Sequence, residues 1–271
     1  MEMQACELTG REYAEIRDLA YGYCGIDLRS GKEELVKARL GRKLRELGLK
    51  SYQEYCDLVK KDATGESLVG MIDALTTNHT NFFREPQHFR FLREVIRTSR
   101  SVPKIWSAAC ATGEEPYSIA FTLMEECKQG IANGTILATD ISTRALARAK
   151  DGRYREERFA GLSGVELGPF VERVEGDDGC SYMIRKQVRN LVEFRRLNLM
   201  EIPASLGTFG VIFCRNVMIY FDQQTQQTLV NRLADHLEPG GYLFIGHSES
   251  LTGIDYPLTY VRPTIYRKGG R

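Results

Sequence analysis

The sequence is poor in histidine, has no close pair of cysteines and carries almost no net charge. Its four histidines lie far apart, and none of its seven cysteines forms a C-x-x-C pair. That pattern gives no metal cluster and no complete disulfide framework. It predicts reduced, mostly buried thiols, and hence a cytoplasmic protein. A formal net charge of +1 excludes a strong global field for nucleic acid and leaves room only for a local basic patch. No apolar run approaches the length of about 18 residues that a membrane-spanning helix needs. The opening "MEMQACELTG" also lacks the charged-then-apolar order of a secretory signal, so membrane insertion is not expected.

Proline is missing from residues 1–75 as well, and there the apolar residues recur at helical spacing, in "REYAEIRDLAYGYCG" and "SYQEYCDLVKK". Between them, "GKEELVKARLGRKLRELGLK" puts Val36, Leu40, Leu44 and Leu47 on one stripe, with Gly48 placed to end the helix. Eight basic and three acidic residues lie between Arg29 and Lys50, so this segment is locally basic.

After Pro103 short apolar runs alternate with helical patterns. Strands are expected at Lys104–Ala109, Thr135–Asp140, Leu191–Leu199, Phe209–Asn216 and Tyr242–Gly246, and "LTYVRPTIYRK" reads as a closing hairpin. Helices are expected after "SAACATG", with Pro116 in the first turn, after Ser142, and over Gln223–Leu237. This alternation predicts an α/β fold built on a parallel sheet. Residues 164–190, turn-forming and then alternating, predict a small antiparallel β insertion. The expected organisation is an all-helical region over 1–75, a connecting segment over 76–95 and an α/β domain over 96–271.

Ligands of a parallel α/β sheet gather at the carboxyl ends of its strands. Four features fall there: "SAACATGEEP" with Glu114 and Glu115, then Asp140, then Asn198, then Arg215 with Asn216. An acid after the second strand can accept two ribose hydroxyls, and an asparagine can pair with an adenine edge. Two carboxylates after the first strand argue against a phosphate cradle. A nucleoside site without a phosphate site suggests S-adenosylmethionine. Each feature alone has an ordinary alternative: Asp140 a helix cap, Asn198 a turn amide, Arg215 a surface charge.

Taken together, "TTNHTNFFREPQHF", "IWSAACATGEEPYSIA", "ATDIS", "FCRNVMIYF" and "GHSESL" resemble the chemotaxis receptor methyltransferases of the CheR family. The resemblance implies a Rossmann-like S-adenosylmethionine-dependent methyltransferase sheet with a small antiparallel β insertion, preceded by an all-helical docking domain. It implies methyl transfer to glutamates on chemoreceptor cytoplasmic methylation helices, with S-adenosyl-L-homocysteine as the other product. Carried over by motif, Asn78, Thr80, Arg84, Glu115, Asp140, Asn198, Leu199, Arg215 and Asn216 contact the cofactor. Arg84 and Tyr220 act on the acceptor, and Phe82 and Phe83 anchor the segment that carries Arg84. Lys37, Arg39, Arg42, Lys43 and Arg45 could dock the receptor, and a receptor C-terminal peptide could add to the β insertion; a monomer is expected. "GHSES" lacks the second glycine of a nucleophile elbow, so no hydrolase triad is assigned. Two other readings use the same residues: a carboxyl methyltransferase for another protein or a small acid, and a non-catalytic cofactor-binding sensor.

Overall fold

In the computed structural model the first helix, α1 (Gly10–Cys24), begins at a capping box: Thr9 and Glu12 satisfy each other's backbone amides. The structure describes residues 7–29, 31–76, 80–127, 131–159, 167–176 and 179–270. Three more helices follow, α2 (Glu33–Leu47), α3 (Tyr52–Lys61) and α4 (Glu66–Leu75). Glu12 Oε1 also accepts the Gln53 amide at 2.9 Å, tying the start of α1 to the start of α3. Ile16, Ala20, Val36, Leu40, Cys56 and Met71 are fully buried and form the core of this unit, which also includes Tyr220–Thr225. The α2 stripe holds for Val36, Leu40 and Leu44, but Leu47 is exposed. It sits in the last turn, where Gly48, at φ 69°, turns the chain away from the core.

The second compact unit holds the rest of the chain. It opens with α5 (Pro86–Thr98), whose Pro86 occupies the first helical position, where its missing N–H costs nothing. Then come β1 (Ile105–Ala108), α6 (Glu114–Glu126), β2 (Ile136–Asp140), α7 (Thr143–Asp151) and β3 (Arg153–Arg155). These are followed by β4 (Val171–Gly176), β5 (Gly179–Ile184), α8 (Lys186–Arg189), β6 (Val192–Arg196) and β7 (Phe209–Cys214). The chain closes with α9 (Gln223–Asp235), β8 (Leu237–Ile245), β9 (Leu258–Arg262) and β10 (Ile265–Lys268). The main sheet has the order β6-β2-β1-β7-β8-β10-β9. Its first five strands are parallel, and the terminal hairpin adds antiparallel to β8. All five predicted parallel strands and the hairpin are present. Four of the five are one to four residues shorter than expected, whereas β8 starts earlier, at Leu237.

The antiparallel insertion is larger than the sequence suggested. It is a three-stranded sheet of order β3-β5-β4, and its first strand begins at Arg153, well ahead of residue 164. β3 escaped notice because three residues, two of them exposed arginines, carry no readable alternation. The connecting segment expected over 76–95 belongs, from Thr80 onward, to the turn before α5 and to α5 itself. Phe82 anchors that turn. It is buried against Phe159 and Phe121, with ring centroids 4.4 and 5.9 Å away, and meets the edge of Tyr154 at 5.0 Å. Burying such a ring contributes on the order of 1.5–3 kcal/mol. Phe83 is only half-buried; it packs on Phe89 and donates its amide to Ser118 Oγ at 2.9 Å.

The single tryptophan, Trp106, lies wholly inside β1 and donates its indole N–H to Thr139 of the neighbouring strand. The six described cysteines are free thiols; burial pushes Cys24 and Cys56 up to about 12. Among the described residues no helix is long and apolar enough to cross a membrane.

Candidate active site

Strand order reverses on either side of β1, so the loops after β1, β2 and β7 open a crevice at the carboxyl edge of the sheet. The loop after β1 turns through three left-handed residues, Ala109 (φ 61°), Ala111 (φ 48°) and Gly113 (φ 96°). For the two alanines this conformation costs on the order of 1–3 kcal/mol each, so surrounding contacts must hold it. Asp140, buried at the end of β2, is one of them. Its Oδ2 accepts the Ala111 amide and its Oδ1 the Ser142 amide, both at 2.8 Å. A Cβ at position 113 would come within 2.8 Å of Ala149 Cβ and Tyr154 Oη, so only glycine lets the loop pass so close to α7.

Of the adjacent acids on α6, the two point to different partners. Glu115 reaches the crevice: Oε1 accepts the Ser107 hydroxyl at 2.7 Å and Oε2 meets Arg215 Nη1 at 2.9 Å. Glu114 is buried, accepts the Thr112 hydroxyl at 2.6 Å and faces Arg158 at 3.7 Å. Burial pushes the Glu115 carboxyl up, against the pull of Arg215.

Arg215, immediately after β7, gathers this end of the unit. Its guanidinium is almost wholly buried, pairs with Glu115 and, at 2.9 Å through Nη2, with Glu85 Oε2, and donates to the Arg84 carbonyl at 2.6 Å. Two carboxylates and a carbonyl from distant segments thus share one planar fork. Burial opposes ionisation of Glu85, but Arg215 outweighs it and holds that carboxyl below its ordinary value. Arg84 therefore has its backbone fixed while its side chain is exposed.

Asn216 takes a left-handed turn (φ 59°) and donates its amide to Glu249 Oε2 at 3.0 Å. Glu249 also accepts the amides of Gly246 and Met218, so the "GHSES" segment clamps the end of β7 to the end of β8. That is a structural role. Asn198 lies two residues beyond Arg196, the β6 partner of Asp140; its Oδ1 caps the Met200 amide at 3.0 Å, and Leu199 is buried. Thr80 is buried, with its carbonyl accepting Arg158 Nη1 at 2.9 Å.

Tyr220 ends a 3₁₀ turn over Met218–Tyr220 and its carbonyl accepts the Asp27 amide at 2.8 Å; by its contacts it belongs to the helical unit. Asn78 lies outside the described residues. In the helical unit, Arg42 and Arg45 are exposed, and Arg42 pairs with Glu46 at 3.1 Å. Lys37 and Lys43 are half-buried beside Glu34 and Glu46. Arg39 donates to the Leu75 carbonyl at the end of α4, which gives it a structural duty that helical spacing did not reveal.

Sequence reading assigned no role to Ser107 or Glu85. Each gains its role from a partner that only the fold brings near.

Residues 78–266 match the CheR methyltransferase, SAM binding domain, and residues 11–76 match the CheR methyltransferase, all-alpha domain. The chemotaxis protein methyltransferase of Escherichia coli K12 is 38% identical over 260 residues, covering 96% of this chain and 91% of that protein. Chemotaxis protein methyltransferase 2 of Pseudomonas aeruginosa is 39% identical over 97% of this chain and 95% of its own length. The corresponding protein of Vibrio anguillarum is 40% identical over 96% of each. The cofactor of this domain is S-adenosylmethionine, and the strand ends suit it: a loop of small residues approaches a buried carboxylate. The chain belongs to the CheR methyltransferase family.

Proposed function

We propose that this methyltransferase methylates glutamate side chains on the cytoplasmic helices of chemoreceptors, forming glutamyl methyl esters. The observation that carries the reading is the likeness along nearly the whole chain, helical region included, to proteins named chemotaxis methyltransferases. When bound, S-adenosylmethionine supplies an electrophilic methyl group on a sulfonium. Asp140 accepts the ribose hydroxyls, Asn198 and Leu199 take the adenine end, and Glu115, Arg215 and Asn216 shape the crevice between them. Thr80 and Arg84 approach from the turn before α5.

A glutamate is already ionised at about pH 7, so no general base is required. The remaining task is alignment. The Arg84 side chain directs carboxylate groups, and Tyr220 positions the acceptor. Alignment of this kind is worth up to about 7–11 kcal/mol in favourable intramolecular cases. A grip on the acceptor that is too tight would instead stabilise the ground state.

The basic face of α2 draws in the acidic receptor helices, chiefly through Arg42 and Arg45, the most exposed of its cations. A receptor C-terminal peptide would add to β4, an edge strand of the small sheet. The test is transfer of tritiated methyl groups to receptor fragments, with Arg42→Glu/Arg45→Glu beside the wild type. The expected label is released as methanol by mild base, and the double variant shows a raised KM for receptor that high salt erases. Base-stable label, or labelling of small acids but not receptor, would contradict the proposal.

A further inference from the structure

The fold assembles one cluster that the sequence had given no reason to expect. Glu85, the residue before α5, His88 in its first turn, and His247, just after β8, bring one ligand atom each to within 4.8 Å of one another. His88 is completely buried, and its two ring nitrogens have unequal surroundings. Nε2 lies 2.7 Å from the Thr264 hydroxyl. That hydroxyl has a single proton, which it donates to the Pro263 carbonyl at 2.6 Å. Thr264 Oγ1 must therefore accept from His88, and Nε2 is the protonated nitrogen.

Nδ1 is then left with a lone pair, and it has no hydrogen-bond partner. It faces Glu85 Oε2 at 3.4 Å, so a lone pair on nitrogen looks at a carboxylate oxygen. His247 Nε2 approaches the same oxygen at 3.9 Å. Two donors on a tetrahedral ion with bonds of about 2.1 Å stand about 3.4 Å apart, close to the spacing seen here.

We propose that Glu85, His88 and His247 form a binding site for a zinc-class divalent transition metal ion. Imidazole and carboxylate donors suit such an ion. The Thr264 hydroxyl fixes the tautomer and ring orientation of His88, as outer partners of ligating histidines do. Thr264 holds φ 64° to do so, an uncommon conformation for a β-branched residue. Glu85 is likewise left-handed, at φ 60°. Arg215 Nη2 meets Glu85 Oε2 at 2.9 Å, so the metal takes the other lone pair of that oxygen, and Glu115 shares the Arg215 charge. The Gln87 side-chain amide contacts both ring nitrogens of the exposed His247, so metal binding through Nε2 requires that amide to move aside. The ion fastens the start of α5 to the segment after β8. It requires no redox partner and takes no part in methyl transfer.

The test uses the full chain, stripped with chelator and titrated with Co²⁺ and then Zn²⁺. One equivalent of Co²⁺ should give the visible absorption of a tetrahedral nitrogen–oxygen site, and Zn²⁺ should displace it and raise the melting midpoint. His247→Ala, at an exposed side chain, should abolish both signals while the protein remains folded. Thr264→Val should weaken binding about 10- to 100-fold. Absence of the cobalt band in the wild type, or a band and melting shift unchanged in His247→Ala, overturns the assignment.

Discussion

Arg215→Met is expected to lower the stability of the protein by about 3–5 kcal/mol, the range found when one partner of a buried ion pair is removed. The guanidinium is 1% exposed, and the two carboxylates it serves, Glu85 and Glu115, are 11% and 12% exposed. Without it those acids must take up protons, find water or pull apart. The Arg84 carbonyl loses its donor in the same step, so the turn that carries Arg84 loosens and methyl transfer falls with stability. Arg215→Lys keeps the charge but cannot span both acids and the carbonyl, so it should recover only part of the loss. Urea unfolding of the three proteins measures the effect. A change below about 1 kcal/mol for Arg215→Met, the scale of exposed pairs, would mean the network is not the clamp described here.

Arg84→Ala should behave in the opposite manner. The side chain is exposed, and the backbone carbonyl of residue 84, bound by Arg215, is retained in the variant. Stability should change little. Turnover should fall about 100-fold, the scale associated with misplaced reactants. A fall in kcat with KM for receptor unchanged would place the Arg84 interaction in the transition state; a rise in KM alone would make it a binding contact. Near-normal turnover by a folded Arg84→Ala protein would remove Arg84 from the proposed chemistry.

Much of this architecture could be read from the chain because period and punctuation agree. β1, β2 and β7 are short apolar runs, buried on both faces as parallel strands must be, and each is followed by a turn signal. Gly48 and Ser142 stop and start helices where their chemistry says they should. Asp140 was conspicuous as an acid closing an apolar strand. What stayed hidden is non-local. Nothing near Glu85 in sequence announces Arg215, and nothing near His88 announces Thr264 or His247. Arg39 reads as one more cation on a basic helix until α4 brings the Leu75 carbonyl to it. β3 is too short to show a period, and its place beside β5 depends on where the intervening chain returns.

The account depends most on the crevice at the carboxyl ends of β1, β2, β6 and β7. The measurement that tests it most directly is a crystal structure with S-adenosyl-L-homocysteine bound. The expected result is the ribose hydroxyls within about 2.5–3.0 Å of Asp140 and the adenine beside Asn198 and Leu199. Product bound elsewhere, or lying in the crevice without contact to Asp140, would contradict it.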